Sequence, residues 1–145
     1  IVELHDNPVR NFQRILELLF DNGANNLINK MKYNYTGVKK LLSQVAKDVD
    51  ITTAGGTNDN SIGTSMDKIM KAFDDNSADE ILAFYDLGSA KMNLDMAIEM
   101  TDKKIHLYNA AFIEGAYAAA TLAEVDVDIS EIDKQLKPLI VKGDR

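Results

Sequence analysis

The 145-residue sequence has no cysteine and no tryptophan. Without a thiol there is neither a disulfide framework nor a thiolate metal site. Histidine is almost as scarce. Only His5 and His106 occur, no HExxH spacing exists, and neither a zinc site nor any other metal or cofactor is expected. No apolar run approaches the ~20 residues needed to cross a bilayer, so no membrane association is expected. Residues 1–20 lack the basic start and apolar core of a signal peptide, which makes the cytoplasm the expected compartment. Basic charge is also short, with 16 Lys and Arg against 23 Asp and Glu and a net charge of −7. Phosphate backbones are bound by clusters of Lys and Arg, so nucleic acid is not an expected partner. The excess acid lies after Tyr35: residues 1–35 hold four acids and four bases, residues 36–145 nineteen acids and twelve bases. A basic partner would suit that imbalance, although solubility alone accounts for it.

What the chain does have is a hydrophobic content of 46%, enough for one buried core in one domain. Residues 1–5 read as a short strand. Asn7 and Pro8 then open a helix over about residues 8–21, with Val9, Phe12, Ile15, Leu16, Leu19 and Phe20 at helical spacing and Gly23 at its end. Residues 24–35 show no clean period. From Thr36 the pattern becomes regular. A helix carries Val38, Leu41, Leu42, Val45 and Ala46, and a strand Val49–Ala54 follows and ends at Gly55-Gly56. Thr64 and Ser65 fall in the first turn of a helix built on Met66, Ile69, Met70 and Phe73. A strand Glu80–Tyr85, a helix Ser89–Thr101 with Met92, Met96 and Met100 inward as core fillers, and a strand Lys104–Tyr108 with a structural His106 come next. The small residues of a helix Ile113–Glu124 predict close packing, around Glu114-Gly115-Ala116 in particular. The last helix starts at Asp128–Ser130, has Ser130 and Asp133 at capping-box-like spacing, and is bent or ended by Pro138.

Strands alternating with helices predict an α/β fold of three layers, a mostly parallel sheet with helices on both faces. Residues 36–145 form that unit, and residues 1–35 are an atypical N-terminal segment. Ligands of such sheets sit beyond the carboxyl ends of the strands. Here those ends are Gly55-Gly56-Thr57, Asp86-Leu87-Gly88-Ser89 and Asn109-Ala110-Ala111. At the second of them an apolar strand stops at an acid and a helix begins at once. The amides of Gly88 and Ser89 would face an anion with the positive end of the helix dipole, and phosphate is the usual guest. Asp86 opposes a bare anion, so it points to a cation or an imidazole N–H at the same place. Taken singly, Asp86 also suits a plain helix-start acid and Gly55-Gly56 a plain turn. No GxGxxG or GxxxxGK[ST] loop supports a nucleotide-binding sheet.

Five stretches occur in order: Ala54-Gly55-Gly56-Thr57, Ile62-Gly63-Thr64-Ser65, Tyr85-Asp86-Leu87-Gly88-Ser89-Ala90-Lys91-Met92-Asn93, Met96-Ala97-Ile98-Glu99 and Ile113-Glu114-Gly115-Ala116-Tyr117. Together they resemble the DhaM family, the phosphoryl-donor subunits of phosphotransferase-system-dependent dihydroxyacetone kinase, whose core domain is of the mannose-class EIIA type. The resemblance implies a cytoplasmic, homodimeric phosphocarrier. Its partners would be phospho-HPr, which gives a phosphoryl group to a histidine, and a DhaL-type subunit, whose ADP receives it. Asp86 matches the family's acid, which would hold the N–H of that histidine ring. Gly55, Gly56, Thr57, Gly88 and Ser89 would cradle the phosphoryl oxygens.

One position departs from the pattern. The family's acceptor histidine ends a hydrophobic first strand upstream of the Gly-Gly pair, and the family's spacing counted back from Gly55 reaches Lys30. An ammonium has no lone pair until it loses its proton near pH ~10.4. His5, after Ile1-Val2-Glu3-Leu4 and before Pro8, is the candidate acceptor if most of a helix is inserted between it and Thr36. Without an acceptor, the chain would be a catalytically silent EIIA-like homologue that serves as a binding or dimerisation module.

Overall fold

Two short stretches of sequence make the sheet. β1 (Glu80–Phe84) and β2 (Lys104–Tyr108) pair in parallel, with Glu80 opposite Lys104, Leu82 opposite His106 and Phe84 opposite Tyr108. Successive side chains leave a strand on opposite faces. Ile81, Ile105, Leu107 and, just past the strand, Tyr85 therefore join one apolar cluster, while Leu82, Phe84 and Tyr108 join another. The computed structural model describes residues 37–143, and among the described residues β1 and β2 are the whole sheet. The helix over residues 8–21, the strand over residues 1–5 and His5 lie outside them.

Helices cover both faces. On one, Ile69 and Phe73 of α2 (Met66–Asp75) and Leu94 and Ala97 of α3 (Gly88–Ile98) close over Tyr85 and Ile81. On the other, Ala116 and Ala120 of α4 (Phe112–Glu124) meet Val38 and Leu42 of α1 (residues 37–45). Ala119 of α4 packs with Ile132 and Leu136 of α5 (Ile129–Leu136) and with Tyr108. Each large side chain buried this way stabilises the fold by roughly 1.5–3 kcal/mol. The Phe84 and Tyr108 rings stack with centroids 5.1 Å apart, which adds about 0.5–1.5 kcal/mol. The result is the expected helix, sheet, helix sandwich. Gly115 explains how α4 comes so close: a Cβ built there would lie 2.8 Å from Ala110 Cβ and 3.2 Å from Phe84 Cε1.

Four expectations need correction. First, Val49–Ala54 is not a strand. Val49 and Ile51 do pack into the α1–α4 cluster, but among the described residues no neighbouring strand supplies a ladder. Side chains from the α2–β1 connection take that role. Asn76 Nδ2 donates to Asp50 O at 3.0 Å and Thr52 Oγ1 at 3.3 Å, and the Ser77 N–H donates to Asp50 Oδ2 at 2.7 Å.

Second, the methionines of the α3 segment do not point inward. Met92, Met96 and Met100 are 69%, 50% and 68% exposed. The buried stripe of α3 is Ala90, Leu94, Ala97 and Ile98, also at helical spacing, so two apolar faces competed and the smaller side chains won. Met66 and Met70 do pack against the core.

Third, Ser65 is the N-cap of α2 rather than a first-turn residue, and its Oγ accepts the Lys68 N–H at 3.2 Å. Fourth, no capping box opens α5. Ser130 already lies inside the helix, and Asp133 Oδ1 accepts the Tyr108 hydroxyl at 2.7 Å. Burial first, and then the Asp133 carboxylate, push the Tyr108 phenol well above its ordinary pKa.

Two stability tests follow from these contacts. Gly115→Ala is expected to cost about 1–3 kcal/mol by overpacking, against a helix-propensity gain of about 1 kcal/mol; a more stable variant in urea melts would contradict the close approach. The Ser77 backbone N–H holds the Asp50 carboxyl below the usual carboxylate range. A depressed folded pKa stabilises above the unfolded value of ~3.9 and ceases to as pH falls through the folded one. Asp50→Asn is therefore expected to be less stable than the parent at pH 7. The gap should shrink as pH drops below ~4, as read by thermal melts across that range.

Candidate functional site

β1 ends at Phe84, and the chain leaves the sheet through Tyr85 and reaches α3 at Gly88. Tyr85 stays buried, at 4% exposure, and its hydroxyl donates to Asn109 Oδ1 at 2.7 Å. That bond ties the carboxyl end of β1 to the residue just after β2. Asp86 comes next and is exposed; its Oδ1 accepts the Leu87 N–H at 2.7 Å. Gly88 and Ser89 open α3, both exposed. The Leu87 carbonyl accepts first from Ala90 N at 3.0 Å and Lys91 N at 3.3 Å. The amides of Gly88 and Ser89 thus precede the first intrahelical donor, Ala90 N–H, and no side chain caps them. A carboxylate and two helix-start amides therefore share one exposed edge.

The chain returns to this edge from its far end. After α5 and the 3-10 turn Lys137–Leu139, Ile140 forms an antiparallel bridge with Ala110. Ala111 N donates to Leu139 O at 2.8 Å, and Val141 N and Lys142 N both donate to Asn109 O, at 3.2 and 3.1 Å. The strap delivers Lys142 to the Tyr85 side of the site. Its ammonium lies 4.0 Å from the Tyr85 ring centroid and donates to the Tyr85 carbonyl. Burial lowers the Lys142 pKa, and the Asp86 carboxylate opposes that shift. Sequence reasoning missed this residue. The only cue was an apolar Leu139-Ile140-Val141 run after Pro138, which signals an extended segment but not where it docks.

The other sequence-derived candidates sit differently. Gly56 has φ 75°, a left-handed conformation in which a Cβ would meet Ser61 O at 2.9 Å. Lys68 Nζ donates to Gly55 O at 3.0 Å and Asn60 Oδ1 at 2.9 Å. The Thr57 hydroxyl donates to Asp59 and accepts the Ser61 N–H at 3.1 Å. The Gly55–Thr57 turn is thus braced against its own loop and α2. A cavity of about 230 Å³ beside it is lined by Thr53, Gly55, Lys68, Lys71 and Asp75, with no residue of the Asp86–Ser89 edge. The structure gathers Asp86, Gly88 and Ser89 with Tyr85, Asn109 and Lys142. His106 is in mid-strand, its Nε2 2.7 Å from Glu80 Oε1. Glu114, in the first turn of α4 where the helix dipole favours an acid, keeps Oε2 buried without a hydrogen-bond partner. Among the described residues no cluster of His, Asp and Glu could hold a metal ion, and no helix is long and apolar enough to cross a membrane.

An α/β sandwich with an acid and free helix-start amides at a strand's carboxyl end has the place and the donors that suit an anionic ligand. The EIIA-man family, described as PTS system fructose IIA component, matches residues 35–133, and the chain belongs to that family. It is 45% identical over 107 residues to a Lactococcus lactis protein, the phosphotransferase subunit DhaM of PTS-dependent dihydroxyacetone kinase; the match covers 74% of this chain and 87% of that protein. It is 43% identical over 116 residues to the phosphoryl donor subunit DhaM of PEP-dependent dihydroxyacetone kinase 1 from Listeria innocua, covering 80% and 94%. A crystal structure of a protein of unknown function superposes with a TM-score of 0.64 at 32% identity, over 79% of this chain and 89% of that one. Both Lys30 and Lys142 fall outside the family match.

Proposed function

We propose that the chain is a phosphocarrier built on the unit of residues 36–145, with its candidate acceptor in the segment that precedes it. It takes a phosphoryl group from phospho-HPr on a histidine and passes it to ADP held by a DhaL-type subunit of dihydroxyacetone kinase. The observation that carries this reading is Asp86, exposed at the end of β1 beside the amides that open α3, in a chain of the EIIA-man family. The names of the curated relatives support the kinase partnership.

The chemistry suits these groups. A neutral imidazole nitrogen attacks phosphorus, its new N–P bond forming as the N–P bond of the donor's phosphohistidine breaks. Asp86 accepts a hydrogen bond from the ring's other N–H and steadies the positive charge that grows there. The amides of Gly88 and Ser89 receive phosphoryl oxygens. The Gly55–Thr57 turn stands apart from this edge and its Thr57 N–H already donates to Ser61 O at 3.0 Å, so of that turn the amides of Gly55 and Gly56 are the ones left to join the cradle. The candidate acceptor is His5. A second reading has its own observation: the family's spacing reaches Lys30, so a silent module without an acceptor keeps the fold and the partner surface alone.

One experiment separates the two. The protein is incubated with phosphoenolpyruvate, Enzyme I and HPr, and intact mass is followed. The carrier reading expects an acid-labile gain of one phosphoryl group that is lost in His5→Ala. Asp86→Ala should slow labelling by about 10²-fold or more. Absence of any label on the parent chain leaves the silent module. The resemblance also implies a cytoplasmic homodimer, and a monomer in sedimentation at micromolar concentration would contradict the dimer.

A further inference from the structure

We infer that Lys142 is a positioning residue of this site: the C-terminal strap carries its ammonium over the strand ends, where it fixes the turn bearing Asp86. The inference deepens the reading just given and rests on it for the role of Asp86 in transfer.

The geometry is a closed circuit of three residues. The Tyr85 hydroxyl donates to the Asn109 side chain at 2.7 Å, the Lys142 N–H donates to the Asn109 carbonyl at 3.1 Å, and the Lys142 ammonium donates back to the Tyr85 carbonyl. The Tyr85 carbonyl belongs to the peptide unit that leads into Asp86. A donor locked onto that oxygen fixes the plane of the peptide, and with it the direction in which the Asp86 side chain leaves the backbone. The ammonium is held from a second direction by the face of the Tyr85 ring, 4.0 Å away. Two contacts on the ammonium, to a ring and a carbonyl, and a third on the residue's own main-chain N–H leave it little freedom.

A purely structural strap has no need of a charge here. Half-burying an ammonium is costly, and a methionine of similar length would fill the space beside Tyr85 without that cost. Among the described residues, Asp86 is the charged group that bears on Lys142. The pair explains why an exposed acid is tolerable where phosphate is to arrive. Negative charge brought to Asp86 meets a cation already fixed at the adjoining residue, with no reorganisation at the moment of transfer.

The test uses the full chain with Lys142→Met, which keeps the stem and removes the charge, and Lys142→Arg, which keeps the charge. The initial rate of labelling by phospho-HPr should fall about tenfold or more in Lys142→Met, as misplacement of a catalytic group does. Lys142→Arg should restore most of that rate. A Met variant as fast as the parent overturns the inference, whatever its melting temperature. Carbon-13 NMR of the Lys142 ε-carbon gives a readout that needs no phosphoryl transfer. The titration midpoint should fall further in Asp86→Asn, because the carboxylate that opposes the shift is gone; an unmoved midpoint overturns the coupling. A parent chain that takes no label sinks the carrier reading instead. In that case the amide shifts of Asp86, Leu87 and Gly88 decide for Lys142. Displacement in Lys142→Met but not in Lys142→Arg upholds the positioning role, and unmoved amides end it.

Discussion

Burial of β1 on both faces is the constraint from which the rest of the molecule follows. A strand with helices on either side has no water-facing side for polar residues, so Ile81, Leu82, Ala83 and Phe84 must all be apolar. The first acid after that run can stand only where the strand has left the sheet. Asp86 is that residue. Its exposure is therefore a consequence of the layer architecture, and so is the immediate start of α3, since a short connection is all that joins a strand to the helix covering it.

How the strand ends are tied together decides what the edge can do. Two parallel strands share no turn, so nothing local fixes the carboxyl end of β1 relative to that of β2. The Tyr85 hydroxyl on Asn109 supplies one cross-tie, and the strap from Ala110–Ile140 to Lys142 supplies another. Neither is part of the ladder. Both use groups that a ladder leaves over: a phenol, a side-chain amide, and the carbonyl of the last residue before the turn. A site built this way is as rigid as its cross-ties, which is why a residue remote in sequence bears on the geometry of Asp86.

The parts of the fold legible in the sequence are those set by local periodicity. β1 and β2 lie within a residue of their apolar runs, and α2, α4 and α5 start and stop near their apolar patterns. What failed was set by neighbours. Val49–Ala54 has strand composition, but a strand exists only with a ladder, and side chains of Asn76 and Ser77's amide hold it instead. Met92, Met96 and Met100 have helical spacing, yet so do Leu94 and Ala97, and the pattern cannot rank two apolar faces. Of the site, Asp86, Gly88 and Ser89 were readable from a strand-to-helix junction. Lys142 was not, because its meaning depends on a contact spanning 57 residues of chain.

Charge at the edge has to be balanced locally. At an effective dielectric of ~20 two unit charges 4 Å apart interact by about 4 kcal/mol, whereas exposed charges beyond ~8 Å are largely screened at physiological salt. The net charge of −7 is therefore nearly irrelevant to whether a phosphoryl group can sit beside Asp86. The few groups within a screening length decide it: the amides that open α3, the Asp86 carboxylate, and the ammonium clasped between the Tyr85 ring and carbonyl. The ammonium's burial weakens its hold on its proton, while Asp86 strengthens it. Each charge offsets the other, so the acid and the lysine balance locally although they are far apart in the sequence.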